Sequence, residues 1–339
     1  MDRSKTLMRV ENLRMSFALR QGTVTAVDEV SFRIPRGRIV GLVGESGCGK
    51  SVTGRSLLRI EGPACIESGK ILFSPSGNGD IQMHLLAPDS EAIRSIRWKQ
   101  ISMVFQEPMA SLGPMHTIGD QIQEAVRLHL KTDKKEAERL ALEALASVGM
   151  PRAEQAFKQY PHQMSGGMRQ RAMIAMALSC SPALLIADEP TTALDASTES
   201  QILELLKERR KSLDMSILYI THNMAVIAQI AEEVLVMYLG RIVESASVRG
   251  LFAEPKHPYT RALMNSIPRI DRNPAGRLEA IEGDVPDPYS RPSGCAFHPR
   301  CPQCISGVCD RMIPEMTRQG RESRVACHLY PESLKIREG

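Results

Sequence analysis

One eight-residue run, Gly44-Glu45-Ser46-Gly47-Cys48-Gly49-Lys50-Ser51, restricts the possible folds of this chain more than any other feature. It fits G-x-x-x-x-G-K-[ST], a loop that needs a strand entering it and a helix leaving it. Both are present: Arg38–Val43 is a short apolar run suited to a buried strand, and Lys50–Ile60 resumes with helical spacing. Glycines let the backbone wrap so that its N–H groups point inward at phosphate oxygens. Lys50 supplies a point charge to the β- and γ-phosphates, the Ser51 hydroxyl suits Mg²⁺, and the helix N-terminus adds its dipole. Gly44 to Ser51, with Val52 behind them, are therefore the expected nucleotide cradle. With glycine at about 7% of residues, a chance match has odds of about one in a hundred. An ordinary glycine turn with a solvated lysine is the bland alternative, and the flanking strand and helix argue against it. Cys48, inside the loop, is more simply a small residue at a permissive position than a redox brake.

A second run fits the same chemistry. Ala183-Leu184-Leu185-Ile186-Ala187-Asp188-Glu189 is an apolar strand ending in two carboxylates. Phosphoryl transfer needs one acid to hold Mg²⁺ and one group to orient the attacking water. Asp188 suits the first task and Glu189 the second. Alone this is weak, because many buried strands end in an acid that caps the next helix. Together with the phosphate loop it becomes a candidate catalytic centre, with Lys50 and Glu189 as its chemistry.

The surrounding pattern predicts an α/β fold. Leu7–Leu13, Met15–Phe17, Val24–Val27 and Val30–Ile34 read as an antiparallel sheet, and residues 117 to 148 read as helical, stopped by Gly149 and Pro151. From Ser165 a helix leads to strand Ala183–Ala187. Helix 198–212, strand Ser216–Ile220, helix 224–231 and strand Glu233–Tyr238 then alternate, as in a parallel sheet with helices packed on it. After about residue 250 prolines become frequent and long periodic segments stop, which predicts a loop-rich extension.

Apolar residues make up 42% of the 339 and charged residues 24%, enough for a sizeable core. The net charge of +4 is too weak a bias for a nucleic-acid partner. No apolar run approaches the roughly 18 to 20 residues that span a bilayer, and the first five residues lack a signal-peptide pattern. The chain is expected to stay on the cytoplasmic side, so that any membrane role comes through partners. Of eight cysteines, Cys48, Cys65 and Cys180 are scattered, whereas five fall between Cys295 and Cys327. In a reducing compartment such a cluster points to metal rather than disulfides. From spacing alone it suits four thiolates on zinc or an iron–sulfur centre.

Met164-Ser165-Gly166-Gly167-Met168-Arg169-Gln170-Arg171 closely resembles the LSGGQ-type signature of ABC ATPases. Ser165, Gly166 and Gly167 open a helix and form a second anion cradle, which is useful if two subunits sandwich ATP between them. Other elements of the family follow in order. Gln106 resembles the Q-loop residue that contacts Mg²⁺ and relays to the membrane domains. Ala193-Leu194-Asp195 resembles the D-loop at the dimer seam, and His222 the switch histidine that touches the γ-phosphate. Phe17 takes the place of the aromatic that stacks on adenine. The resemblance implies a nucleotide-binding domain over residues 1–250, with a helical subdomain over about 107–164, and an extension over 251–339.

His257-Pro258-Tyr259-Thr260-Arg261-Ala262-Leu263, the stretch from Gly294 to Pro302, and Val325-Ala326-Cys327-His328 resemble the tail of oligopeptide and dipeptide importers. That resemblance implies a [4Fe–4S] cluster, for which Cys295, Cys301, Cys309 and Cys327 are the chosen ligands, with Cys304 able to replace Cys309. It also implies partners: a second, similar ATPase subunit, two transmembrane permease subunits and, indirectly, a periplasmic or extracellular solute-binding protein. The chain would then work at the cytoplasmic face of the inner membrane. A soluble ABC ATPase acting on DNA or ribosomes is the alternative. Those usually carry paired cassettes or coiled-coil insertions, and this chain has neither.

Overall fold

The computed structural model describes residues 5–76, 79–106, 111–192, 194–266, 281, 283–287, 289–320 and 322–330. β1 (Thr6–Leu19) and β2 (Gly22–Pro35) form a long antiparallel hairpin. β4 (Ala64–Phe73) pairs with the other side of β1, and β5 (Ile81–Gln82) closes a four-stranded sheet in the order β2-β1-β4-β5. Val30, Phe32 and Ile34 of β2 are buried while Glu29, Ser31 and Arg33 are exposed, the alternation of a sheet with one wet face.

The second sheet holds eight strands. β3 (Ile39–Val43), β6 (Ile101–Val104), β7 (Leu184–Asp188), β8 (Ser216–Thr221) and β9 (Glu233–Tyr238) are parallel, and β10 (Arg241–Ser247) runs antiparallel to β9. With β11 (Thr317–Gln319) and β12 (Ser323–Val325) at one edge, the order is β11-β12-β10-β9-β3-β8-β7-β6. β3, β7 and β8 are buried at every residue, because layers cover both faces. Period-two alternation divides them between two cores. Val40, Leu42, Leu218 and Ile220 pack with Leu13, Met15, Val30 and Phe32 of the first sheet. Ile39, Val43, Ile217 and Tyr219 pack with Ile202, Leu206 and Ile227 on the opposite side.

Helices start where capping side chains allow. The phosphate loop leads into α1 (Lys50–Ser56), and a short α2 (Glu91–Ile96) precedes β6. Thr117 caps α3 (Ile118–Leu130) and Asp133 caps α4 (Lys134–Ser147), each side chain accepting a backbone N–H three residues on. Gly149, with φ of 65°, lets the chain leave α4 in a left-handed turn. α5 (Ala153–Phe157) and α6 (Gly166–Leu178) complete this helical layer, followed by α7 (Ala196–Ser212) and α8 (Met224–Ile230) on the parallel sheet.

Three features differ from the sequence expectation. The helix after the phosphate loop ends at Ser56, with turns over 57–59. β4 lies in a stretch that reads as irregular, because Gly69 packs on the Asn12 carbonyl and its register slips against β1. The C-terminal extension contains α9 (Val248–Ala253) and α10 (Pro258–Asn265), then β11 (Thr317–Gln319) and β12 (Ser323–Val325). β12 pairs with β10, Glu244 opposite Val325, so the extension is part of the main sheet.

Candidate functional site

Residues 44–49 turn between the end of β3 and the start of α1, and the packing there leaves no room for side chains at two positions. A Cβ on Gly44 would lie 2.1 Å from the Met237 carbonyl oxygen, and one on Gly49 2.2 Å from that of Ala26. Gly49 also takes φ of 102°, which disfavours any L-residue with a side chain. Lys50 is buried, and its Nζ donates to the carbonyls of Gly44 at 2.8 Å and Glu45 at 2.9 Å. Its amine is thus drawn back over the loop it starts from.

The carboxylates of β7 come to the same place. Ser51 Oγ donates to Asp188 Oδ1 at 2.9 Å. Asp188 is fully buried, and its Oδ2 has no hydrogen-bond partner among the described residues. Burial pushes its carboxyl up, against the Ser51 bond. A buried hydroxyl–carboxylate pair with one unsatisfied oxygen fits a hard divalent cation such as Mg²⁺.

Glu189 follows with φ of 47°, its N–H bonded to the Ile220 carbonyl at 2.9 Å. Its Oε2 accepts from Gln106 Nε2 at 3.0 Å and Thr192 Oγ1 at 2.9 Å, and His222 Nδ1 lies 3.0 Å from Oε1. Burial works to raise this carboxyl, but the bonds from His222 and Thr192 outweigh it and hold it below the usual range. Glu189 is therefore ionised, fixed on three sides and next to the Ser51–Asp188 pair.

A cavity of about 280 Å³ opens over this group. Phe17, Ser46, Gly47, Gly49, Lys50, Ser51, Val52, Gln106 and Glu189 line it, together with Leu239, Gly240, Asp287 and Arg291. Glu45 and Cys48 face away from it. Cys48 is buried, and the Glu45 carboxylate receives Arg300 Nη1 and Nη2 at 2.8 and 3.1 Å. Ser165, Gly166 and Gly167 do not line the cavity either. Ser165 caps α6 by accepting the Met168 N–H at 3.3 Å, and Ser165 and Gly166 are exposed. Asp195 caps α7, accepting from Thr198 N–H and Oγ1 at 2.9 and 2.7 Å; Ala193 lies outside the described residues. Sequence reasoning missed Thr192, Asp287 and Arg291. Arg291 bonds Asp28 Oδ2 at 2.7 Å, a contact spanning most of the chain that no local pattern announces.

Among the described residues, none of the tail cysteines is joined in a disulfide. Cys309 and Cys327 are buried, Cys295 and Cys301 partly so, and Cys304 is exposed. Burial pushes Cys295 up to about 12, with Cys309, Cys327 and Cys301 adding to it. Cys327 is pushed up to about 11 by burial, then by Cys301 and Cys309. Cys295 therefore feels the other three thiols, and Cys327 feels two of them. A Cβ on Gly294 would strike the Cys309 carbonyl at 2.4 Å, so only glycine lets the Cys295 N–H reach that oxygen, at 2.8 Å. Among the described residues, no group of three or more His, Cys, Asp or Glu side chains is spaced to hold a metal ion.

A strand–phosphate loop–helix unit, an acidic strand end and a helical layer define a P-loop ATP-binding cassette. The family description "ABC transporter" matches residues 27–192, and "Oligopeptide/dipeptide transporter, C-terminal region" matches residues 243–309. The chain is 46% identical over 328 residues to a dipeptide transport ATP-binding protein of Bacillus subtilis, covering 96% of this chain and 95% of the other. An oligopeptide transport ATP-binding protein of the same organism is 46% identical over 330 residues, covering 96% and 98%. Among solved structures, the ATP-binding cassette MJ0796 in a dimeric post-hydrolysis state bound to ADP and Pi has a TM-score of 0.63 at 25% identity, covering 72% of this chain and all of that one. The chain belongs to the ATP-binding subunits of ABC transporters, in the oligopeptide/dipeptide branch. No helix among the described residues is long and apolar enough to cross a membrane.

Proposed function

We propose that this chain powers import of peptides or similar small solutes by closing with a second, similar ATPase subunit around ATP. Residues 1–250 are the nucleotide-binding domain, with 107–164 as its helical subdomain, and 251–339 form the extension. The observation that carries the reading is the linked array of Lys50, Ser51, Asp188, Glu189, Gln106 and His222, of which Lys50, Ser51, Gln106 and Glu189 line the cavity. Gly44 to Val52 cradle the phosphates, and Phe17 stacks on the base. Ser51, Gln106 and Asp188 would hold Mg²⁺, which when bound would neutralise phosphate charge. Glu189 orients and deprotonates water, and His222 keeps that carboxylate and the γ-phosphate in register.

Ser165, Gly166 and Gly167 would serve the partner's nucleotide, with Asp195 at the seam. The exposure of Ser165, Gly166 and Asp195, and the absence of all four residues from this chain's own cavity, support that role. Two permease subunits in the cytoplasmic membrane receive the movement through the Gln106 segment, and an external solute-binding protein delivers the substrate.

Cys295, Cys301, Cys309 and Cys327 are proposed to bind a [4Fe–4S] cluster. The support is four soft donors that are electrostatic neighbours. Cys309 is favoured over Cys304 because it is buried whereas Cys304 is exposed. Zinc would need the four sulfurs drawn in to about 2.3 Å from one ion. Iron and acid-labile sulfide assayed on anaerobically purified chain decide this part.

ATP-dependent association tests the main reading. Sedimentation of the slow-hydrolysing Glu189→Gln chain should show ATP drawing two protomers together, and Ser165→Arg should abolish this while each protomer still binds nucleotide. Association that ignores ATP, or survives Ser165→Arg, would refute the two-subunit site.

A further inference from the structure

Glu45 is an acid placed inside an anion-binding loop, and the way its charge is disposed of is the basis of the inference. Its backbone N–H donates to Tyr259 Oη at 2.8 Å, and its carbonyl accepts from Lys50 Nζ at 2.9 Å. Its carboxylate takes both arms of the Arg300 guanidinium, at 2.8 and 3.1 Å. Two of these three groups are therefore held by the C-terminal extension, from 214 and 255 residues away. Tyr259 is completely buried, and the Arg300 side chain is 5% exposed.

The two anchors are themselves fixed. Tyr238 at the end of β9, Tyr259 of α10 and Phe297 make a three-ring contact with centroids 4.6, 5.2 and 5.4 Å apart. The Arg300 guanidinium carbon lies 5.9 Å from the centre of the Tyr238 ring. Phe297 and Arg300 both belong to the stretch between Cys295 and Cys301, so the clamp on Glu45 is built into the cysteine-bearing segment.

We propose that Tyr259 and Arg300 are positioning residues for the phosphate loop. They hold Glu45 and cancel its charge, so that triphosphate affinity is set in part by the cysteine-bearing extension. The proposal rests on Gly44–Ser51 being the nucleotide cradle. Freed of Arg300, Glu45 would present an unpaired carboxylate to a triphosphate within the same loop. For a unit charge ~10 Å away in an effective dielectric of ~20, this weakens binding on the order of tenfold. A buried Arg–carboxylate pair that only docked the extension would affect folding and leave nucleotide affinity alone, which gives the test its discriminating power.

The full chain is titrated with a fluorescent ATP analogue, and thermal unfolding is followed in parallel. Arg300→Gln should raise the Kd about tenfold. Adding Glu45→Gln to it should bring the Kd back to within about threefold of the parent, because no uncompensated acid remains. Tyr259→Phe, which removes one oxygen and keeps the ring packing, should raise the KM for ATP by about threefold with little change in kcat. The proposal is overturned if Arg300→Gln binds within about twofold of the parent, or if the double variant binds no better than Arg300→Gln. Should Arg300→Gln fail to fold, an unchanged KM in Tyr259→Phe overturns it equally. Lys50→Ala is the control on the underlying assignment: if that variant binds nucleotide normally, the cradle reading fails, whatever the other variants do.

Discussion

Replacing Glu189 by glutamine tests the catalytic assignment most directly, because the site can accept the amide with little rearrangement. Among the described residues, Oε2 receives two donors, Gln106 Nε2 and Thr192 Oγ1, whereas Oε1 faces His222 Nδ1 alone. An amide whose oxygen takes the Oε2 position keeps both donors, and its NH₂ then meets His222, whose Nδ1 accepts when the ring proton is on Nε2. Shape and most hydrogen bonds survive; the negative charge does not. Stability should therefore fall by only about 1 kcal/mol, the difference between charged and neutral acceptors at a partly wet site. Hydrolysis should fall by about 10²–10⁴, the usual worth of a positioned base. ATP should bind at least as tightly, since an acid beside the γ-phosphate has gone. The assay pairs phosphate release with analogue binding and a melting curve. A variant retaining more than about a tenth of parental turnover would refute the role of Glu189. So would one that loses nucleotide binding without any change in melting temperature.

The other expectations concern stability and pH. Gly49→Ala should destabilise the fold by more than about 2 kcal/mol and abolish nucleotide binding, because φ of 102° and the Ala26 carbonyl both exclude a Cβ; denaturant titration and analogue binding report the two effects. Tyr219→Phe should cost about 1 kcal/mol in the same titration, as it removes a buried hydroxyl bonded to Thr191 Oγ1 at 3.2 Å. His257 is buried, and burial drives its pKa down to about 3. The unfolded chain takes up that proton near pH 6.5 and the folded chain does not, so the contribution is complete above about 6.5 and is lost progressively as pH falls towards about 3. His257→Asn, whose side chain can still accept the Tyr259 N–H, should flatten the stability profile between about pH 6.5 and 5 by up to about 1.4 kcal/mol per pH unit. An unchanged slope would show that the histidine titrates alike in both states.

The parts of the site that the sequence makes legible are those encoded contiguously. Gly44–Ser51 carries strand exit, glycine turn and helix entry in eight residues, and Leu184–Glu189 carries its own burial and its own acids. Local spacing suffices there because adjacent residues do the work. What the sequence hides depends on partners far away along the chain. Glu45 reads as one more loop position until Tyr259 and Arg300 are seen to hold it. Asp287 and Arg291 sit in a proline-rich stretch with no periodicity, yet they line the same cavity as the phosphate loop. β4 escapes notice for a different reason: its register slip and Gly69 break the alternation that would have marked it. The tail cysteines are legible as a donor set, but their spacing in the fold is not readable from intervals along the chain.

The junction of β12 with β10 has a consequence for biosynthesis. When Ser247 has left the ribosome, β10 has its β9 neighbour, but its other flank stays bare until residues 323–325 arrive. At about 5–20 residues per second that interval lasts several seconds, during which a nascent chain offers an open ladder to any passing strand. Once β12 docks and β11 closes over it, the outermost strand is three residues long, too short to template much pairing. A chain truncated just before residue 317 would keep every cavity-lining group named above and yet be left permanently in that adhesive state.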